Sequence, residues 1–425
     1  MIPQLHQAHL RGGAPADQGA EGKMKTACVV FVYGCPRSMM DASKFITYLR
    51  TNEWEVINDY QKADLILIGT CGFNSTSEEK SLNFLSIACN KKKRDARVII
   101  FGCLAGINEE IINNNYDALA ISGKNINELD WLIGAKVKLS EIRDQNVIDQ
   151  IVYNGLNMFS RYDRAIVNTK MSIKHFGKAL FCALYSNPNP LHTQYNGVFN
   201  IRIAKGCNAR CTYCAIKNAI GPLRSKPLAE ILEEFNLAIR EGYKNFRLVA
   251  DDVGSYGQDN GSNIVDLLDQ VFASQADFKL IWDDFHPTWL IKYCQDLFKI
   301  VSQNHQKFGY MGFPVQSGSD KILALMNRGY KAADVKECLL ALRQALPEVN
   351  ITSHMIVGFP GETQEDFNET LSFLKEINFK HFYAYRYCKR PNTEALLLPG
   401  KVSEITKYAR LWQLKRRFYD TCFVG

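Results

Sequence analysis

The sequence predicts an α/β protein in which a small N-terminal domain with a parallel sheet precedes an incomplete (β/α)6 barrel. Short apolar runs alternate with helical stretches along both halves of the chain. The length of 425 residues is enough for two or three domains. The second series of strand–helix units has six members, fewer than the eight of a closed barrel. These three observations predict the fold class.

The composition is that of a globular protein, with 46% hydrophobic and 22% charged residues and a net charge of +7. This charge permits an anionic partner but does not require nucleic acid. No apolar run is long enough to span a membrane, and the start of the chain lacks the apolar core of a secretory signal. We therefore expect a cytoplasmic protein with no membrane partner, whose residues 1–24 form a disordered leader.

Residues 25–135 predict the N-terminal α/β domain. Apolar runs predict buried parallel strands, and the spacing between them predicts helices. The predicted strands are 27–33, 63–69 and 97–101, and the helices are 41–52 and 77–89. Residues 136–197 are less regular and contain Asn-Pro-Asn-Pro, so we expect a linker or insert.

Residues 198–400 predict the partial barrel, in which strands again alternate with helices. Its six strands are predicted at 199–204, 246–250, 278–282, 310–315, 351–357 and 381–387, with helices such as 228–241 and 332–345. A basic amphipathic helix at 402–419 is the last predicted element, within a C-terminal segment 401–425.

Thirteen cysteines, an odd number in a chain without an export signal, favour metal or redox chemistry over a disulfide framework. Cys207, Cys211 and Cys214 directly follow the first predicted barrel strand. Three thiolates at this spacing can each bind a different iron of one cubane, which leaves a fourth iron open. Zinc usually needs four ligands at paired spacings, and no second pair follows. The alternative is that three incidental cysteines are buried here.

Residues 207–214, Cys-Asn-Ala-Arg-Cys-Thr-Tyr-Cys, resemble the signature of radical S-adenosylmethionine enzymes, including the aromatic Tyr213. The resemblance implies that the three cysteines are catalytic and hold a 4Fe–4S cluster whose open iron binds S-adenosylmethionine. An electron from the cluster would cleave the cofactor to a 5′-deoxyadenosyl radical, which abstracts hydrogen from an unactivated carbon.

A second set of cysteines, Cys35, Cys71 and Cys103, follows the three predicted strands of the first domain. The carboxyl ends of parallel strands share one edge of a sheet, so these residues can converge into another three-thiolate site. The alternative is that small cysteines simply pack at strand ends.

The motifs around this set resemble those of methylthiotransferases. The same family is matched downstream, in order, by Asp252-Val-Gly-Ser-Tyr-Gly257, Pro314-Val-Gln-Ser-Gly-Ser-Asp320, Met326-Asn-Arg328 and Gly358-Phe-Pro-Gly-Glu362. The resemblance covers roughly residues 25–415. It implies a second 4Fe–4S cluster on Cys35, Cys71 and Cys103 that holds or donates sulfur, with a methylthio group on carbon as the product.

Other polar and turn residues are candidates for binding the cofactor. Asp252 and Gln316 are placed at strand ends that face the presumed barrel mouth, as is Asp251. Gly358 and Gly361 resemble the stretch that lies along the adenosine, or form a simple βα turn. With Tyr213, the cofactor-binding candidates are Asp252, Gln316, Gly358 and Gly361. Arg224 could neutralise a carboxylate or the cluster, or be a surface cation.

The first-domain motifs resemble the branch that modifies an aspartate of a ribosomal protein, so a peptide or protein side chain is the expected acceptor. Relatives usually end with a small all-β TRAM domain, and no strand-rich tail is predicted here. The stretches Val-Gln-Ser-Gly-Ser-Asp and Asp-Val-Gly-Ser-Tyr-Gly favour the branches that act on tRNA adenosine, which remains an alternative. A two-cluster radical enzyme without sulfur insertion and a nonenzymatic iron–sulfur protein are further alternatives. We expect a monomer that receives electrons from an external donor.

Overall fold

The computed structural model of the chain describes residues 24–32, 35–147, 197–379, 381–417 and 422–423. Of these, residues 24–72 and 77–147 form one compact unit, and residues 73–76 and those from 197 onward form another. The predicted leader, apart from its last residue, and most of the predicted linker at 136–197 lie outside the described residues.

The first unit contains a parallel five-stranded sheet in the order β2-β1-β3-β4-β5. Its strands are Thr26–Phe31 (β1), Glu55–Val56 (β2), Leu65–Thr70 (β3), Arg97–Gly102 (β4) and Leu119–Ala120 (β5). The three central strands are apolar runs because both faces of the sheet are covered. They confirm the three predicted strands, whereas the two-residue edge strands are too short to give a periodic signal.

Helices cover both faces of this sheet. They are Pro36–Thr51 (α1), Ser75–Lys91 (α2), Cys103–Ile107 (α3), Glu109–Asn115 (α4) and Glu128–Ile133 (α5). Alternate strand residues therefore enter two cores. Val29 packs with Phe45 of α1 on one face. Val30 packs with Leu85 of α2 on the other.

The second unit contains a parallel seven-stranded sheet in the order β6-β9-β10-β11-β12-β13-β14. These strands are Val198–Arg202 (β6), Asn245–Val249 (β9), Lys279–Trp282 (β10), Phe308–Gly312 (β11), Asn350–Val357 (β12), His381–Arg386 (β13) and Cys422–Phe423 (β14). A separate antiparallel pair consists of Ala204–Lys205 (β7) and Arg224–Ser225 (β8). The first six strands confirm the incomplete barrel, and β14 extends it by a strand that the sequence analysis did not predict.

Helices alternate with these strands. They are Ile216–Ile220 (α6), Leu228–Arg240 (α7), Ile264–Phe272 (α8), Pro287–Lys292 (α9), Cys294–Gln303 (α10), Asp320–Leu325 (α11), Ala332–Ala345 (α12), Gln364–Ile377 (α13) and Glu404–Arg417 (α14). One apolar core joins the sheet to these helices, with Leu248 and Trp282 of the strands packed among Phe235 and Leu339 of the helices. None of the helices in the described part of the chain combines the length and apolar character needed to cross a lipid bilayer.

Candidate metal and cofactor site

The loop that carries Cys207, Cys211 and Cys214 lies between β7 and α6, beyond the end of β6. The amide of Cys207 donates to the carbonyl of Gly221 at 3.3 Å, which ties the start of the loop to its return. Gly206 has φ of +85°, and a Cβ there would overlap the carbonyl oxygen of Pro222. The predicted site residue Asp251 accepts a hydrogen bond from the Gly206 amide at 2.9 Å. The loop is therefore fixed at both ends.

The three cysteines of this loop are close enough to affect one another electrostatically. Burial raises the pKa of Cys207 to about 12, with further contributions from Asp252 and the charges of Cys211 and Cys214. Burial also raises the pKa of Cys214. Metal ligation needs thiolates, so binding of a metal by these cysteines would release protons.

No group of three or more His, Cys, Asp or Glu side chains converges to hold a single metal ion among the residues with described positions. A cubane does not require such convergence, because each cysteine binds a different iron. Three thiols on one fixed loop are a donor set that suits an iron–sulfur cluster. The cluster ligands predicted from the sequence are thus brought together on this loop.

Asp252 is buried beneath this loop and accepts three hydrogen bonds. Its carboxylate receives the His286 amide at 3.0 Å, the Gly254 amide at 3.1 Å and the indole Nε1–H of Trp289 at 2.9 Å. Burial raises the pKa of Asp252 to about 6 in spite of these donors. Asp252 therefore ties the backbone at Gly254 and His286 and the Trp289 side chain together next to the loop of the three cysteines.

Two cationic or polar groups that the sequence analysis did not single out contact Cys211. Arg328 is buried, and its Nη1 donates to the Cys211 sulfur at 3.2 Å and to the Tyr213 hydroxyl at 3.2 Å. His286 Nε2 lies 3.9 Å from the same sulfur, while its Nδ1 accepts the Thr288 amide. Burial, and then the Arg328 charge, lower the pKa of His286 well below its usual range, which favours the neutral ring.

Arg328 is the last residue of the Met-Asn-Arg motif, which the sequence analysis matched to the family without assigning a role to the arginine. That motif is the signal by which Arg328 could have been identified as a site residue. His286 lies in no motif that the sequence analysis recognised. The Tyr213 hydroxyl accepts a hydrogen bond from Arg328, and the Tyr213 ring packs edge-on against Phe359, at 6.4 Å between ring centroids.

Gln316 combines a positive φ with a side-chain oxygen that lacks a hydrogen-bond partner among the described residues. Its φ is +76°, and its main chain is held by hydrogen bonds to His354 and Ile356 of β12, each at 2.8 Å. Within the described residues, its buried Oε1 has no hydrogen-bond partner. A buried acceptor without a donor is costly, and a bound ligand would remove that cost.

The turn after β12 is closed by buried charges. Gly358 has φ of +73°, and its amide donates to Glu362 at 2.5 Å. Glu362 in turn accepts from Arg410 of α14, with both side chains buried.

A cavity of about 220 Å³ adjoins the turn, and its lining includes Gly358 and Tyr387. Gly361 also has positive φ, and its amide donates to the Gly400 carbonyl at 2.8 Å. None of the three loop cysteines lines this cavity.

Arg224 lies on β8 with an exposed side chain, next to Lys205 of β7 in register. Among the described residues, its side chain forms no hydrogen bond with any of the three cysteines. Among the described residues, Arg328 rather than Arg224 therefore donates a hydrogen bond to a sulfur of these cysteines.

The second set of cysteines occupies neighbouring strand ends of the first unit. Cys35 is the N-cap of α1 after β1, Cys71 directly follows β3, and Cys103 begins α3 after β4. Since β1, β3 and β4 are adjacent parallel strands, the three residues lie along one edge of the sheet. The amide of Cys35 donates to Ser38 at 3.1 Å, and that of Cys71 donates to Ser81 at 3.1 Å. Helix starts at two of the positions favour negative charge.

Sequence comparisons match two known families. Residues 201–374 match the radical SAM superfamily. Residues 27–122 match UPF0004, which is described as an uncharacterized protein family. The first range contains Cys207, Cys211 and Cys214, and the second contains Cys35, Cys71 and Cys103.

Curated relatives cover most of the chain. A tRNA-2-methylthio-N(6)-dimethylallyladenosine synthase of Thermodesulfovibrio yellowstonii is 30% identical over 91% of this chain and 81% of its own length. A ribosomal protein uS12 methylthiotransferase RimO of Protochlamydia amoebophila is 27% identical over 90% of this chain and 75% of its own length.

Among solved structures, the fold is similar to that of TsrM from Kitasatospora setae, a radical S-adenosylmethionine methyltransferase with cobalamin and a 4Fe–4S cluster bound. The TM-score is 0.57 at 11% identity, over 88% of this chain and 77% of that one. This similarity concerns the fold alone.

Proposed function

Because the chain belongs to the radical S-adenosylmethionine methylthiotransferase family, we propose that it places a methylthio group on an unactivated carbon of a peptide or protein side chain. The family membership makes the chain a radical S-adenosylmethionine enzyme with iron–sulfur chemistry. The proposal adds the class of acceptor, the number of clusters and the residues that bind them.

The loop of Cys207, Cys211 and Cys214 is the observation that carries this proposal. In it, three thiols on one fixed loop meet a buried arginine that donates to one of their sulfurs. These cysteines would hold an iron–sulfur cluster, and the chemistry this cluster supplies when bound is transfer of an electron to S-adenosylmethionine. Gln316, with its unpartnered oxygen, would bind a donor group of the cofactor. Tyr213 and the turn from Gly358 to Gly361 would contact its adenosine part.

Asp252 has a different role in this proposal from that of a direct cofactor ligand. Its two oxygens are already engaged by the amides of Gly254 and His286 and by the Trp289 indole. It would hold the segment that begins α9, and with it His286, against Cys211. Asp251 would act likewise through the Gly206 amide.

A second cluster on Cys35, Cys71 and Cys103 would supply the sulfur. Its support is the placement of the three residues at the carboxyl ends of adjacent strands, where parallel sheets bind ligands.

Two triple cysteine variants test whether the two sets of cysteines have separate roles. Replacing Cys207, Cys211 and Cys214 with alanine should abolish reductive cleavage of S-adenosylmethionine to 5′-deoxyadenosine. Replacing Cys35, Cys71 and Cys103 should preserve cleavage and remove sulfur insertion. Equal loss of cleavage in both triple variants, with unchanged circular dichroism, would contradict separate roles.

A protein acceptor is favoured by the relatives named ribosomal protein uS12 methylthiotransferase, of which several match over about nine-tenths of the chain. The finer proposal is the β-carbon of an aspartate. The test is anaerobic reconstitution with iron, sulfide, reductant and S-adenosylmethionine, followed by mass analysis of a uS12-derived peptide that contains aspartate and of its asparagine counterpart. Added methylthio mass on the first peptide alone supports the proposal.

Transfer to a tRNA adenosine is the second candidate, because a relative named for that activity is 30% identical to this chain. The same reconstituted protein should be supplied with tRNA that carries the N6-dimethylallyl adenosine. A methylthio product on tRNA, without one on the peptide, would replace the protein acceptor with this one.

A further inference from the structure

Arg328 is a buried cation that forms no direct ion pair with a carboxylate among the described residues, although its charge acts on the buried carboxylate of Asp252. Its side chain is 5% exposed, and within the described residues no carboxylate forms an ion pair with its guanidinium. Its acceptors are neutral or sulfur-based: the Cys211 sulfur at 3.2 Å, the Pro314 carbonyl at 2.5 Å and the hydroxyls of Tyr213 at 3.2 Å and Tyr330 at 2.9 Å. A buried charge that lacks an opposite charge in direct contact is expensive.

A negative charge in direct contact with the guanidinium has an evident source at this position. A thiolate of Cys211 carries it, and an oxidised 4Fe–4S cluster on the three cysteine thiolates carries a net charge of about −1, because the charges of its thiolates and sulfides exceed those of its irons. The guanidinium is therefore compensated when the loop holds a cluster. One-electron reduction of the cluster adds a further negative charge beside the same cation, with no bond made or broken.

The guanidinium is held so that it cannot turn away from the sulfur. Nη2 is anchored on the Pro314 carbonyl and Nε on the Tyr330 hydroxyl, which itself donates to the Val315 carbonyl at 2.9 Å. The Tyr330 ring also lies 5.4 Å from the guanidinium carbon. Only Nη1 is directed to Cys211 and Tyr213, and planar arginine suits such fixed geometry better than lysine.

We propose that Arg328 is a positioning residue that raises the reduction potential of the cluster on Cys207, Cys211 and Cys214 by donating to the Cys211 sulfur. This inference rests on the proposed presence of that cluster. Hydrogen bonds to sulfur and nearby charge both set the potentials of iron–sulfur clusters, and a buried cation favours the more negative, reduced form. Arg328 thereby makes the electron that S-adenosylmethionine needs easier for the external donor to place on the cluster.

The test is a redox titration of the full chain, reconstituted anaerobically, with dithionite, mediators and detection of the reduced cluster by electron paramagnetic resonance. The signal lost in Cys211→Ala identifies the cluster in question. Arg328→Met should lower its reduced-to-oxidised ratio at a given potential by about tenfold, which is 59 mV for a one-electron couple. Arg224→Met is the matched control, because this exposed arginine also follows the cluster loop, and it should titrate as wild type.

The outcomes separate this inference from the proposed function. A potential for Arg328→Met equal to that of Arg224→Met overturns the role of Arg328 and leaves the cluster assignment intact. A wild-type signal that Cys211→Ala does not change removes the cluster assignment and the inference together. If Arg328→Met does not assemble the cluster, Arg328→Lys decides, since it keeps the charge without the anchored donor. A negative shift in Arg328→Lys supports the proposal, and a wild-type potential overturns it.

Discussion

Replacing Gly206 with alanine should destabilise the cluster loop more than an ordinary glycine substitution. Gly206 immediately precedes the first loop cysteine and has φ of +85°, in the left-handed region. A Cβ at this position would lie well under 3.0 Å from the carbonyl oxygen of Pro222 and 2.9 Å from that of Gly221, which are backbone atoms on the returning side of the loop. The two sides of the loop must therefore move apart.

The magnitude follows from two contributions. A non-glycine residue in the left-handed region costs about 1–2 kcal/mol. Separation of the strands also loses the hydrogen bond from Cys207 to Gly221 and weakens the one from Gly206 to Asp251, each worth about 1 kcal/mol or somewhat more. The expected total loss in the free energy of unfolding is about 3–4 kcal/mol.

Gly261→Ala is the matched control for this substitution. Its φ of +83° is nearly the same, but a Cβ there would meet no atom within 4 Å. Gly261→Ala should therefore show only the conformational cost of about 1–2 kcal/mol. Urea denaturation of both variants gives the difference, and iron and sulfide analysis after anaerobic reconstitution reports cluster assembly.

We expect Gly206→Ala to lose more stability than Gly261→Ala by about 2 kcal/mol and to retain less iron, whereas Gly261→Ala should assemble the cluster as wild type does. Equal losses of stability together with equal iron contents would refute the reasoning, because they would mean that contact across the loop makes no contribution.

Three further predictions concern buried polar groups. Asp252 takes up its proton near pH 6 in the folded chain, about two pH units above its ordinary value of 3.8. The native state therefore binds more protons between these values, so the unfolding free energy of cluster-free protein should fall by up to about 3 kcal/mol as the pH rises from about 4 to about 6. Asp252→Asn should flatten that profile in urea titrations, and an unchanged profile would contradict burial as the cause. Arg410→Leu should cost about 3–5 kcal/mol by leaving Glu362 buried without its partner. The double variant with Glu362→Leu should recover part of that loss, and a loss equal to the sum of both single variants would count against a buried pair. Gln316→Leu should leave urea stability equal to wild type or slightly higher, since Oε1 has no partner, while it weakens S-adenosylmethionine binding by about tenfold in equilibrium dialysis. Unaltered binding would exclude Gln316 from the cofactor site.

Sequence reasoning was most reliable for elements that depend on local patterns. The central strands of the first sheet are largely apolar runs that are covered on both faces, so each is recognisable within a few residues of its own sequence. The positions of Cys35, Cys71 and Cys103 beyond three strand ends followed from the same local signal. The strand β14 was not predictable, because two residues carry no periodicity and only pairing with β13 defines them.

What the sequence by itself determined is therefore the α/β class, the order of its strands along the chain and the six cysteines of two candidate sites. Only the tertiary structure decided which side chains meet those cysteines: Arg328 lies 117 residues after Cys211, and His286 lies 75 residues after it. Contacts of this kind depend on the order of strands in the sheet and on close packing of the loops beyond them. The local spacing of residues predicts neither of these, so the residues that contact the loop of Cys207, Cys211 and Cys214 could be identified only from the folded chain.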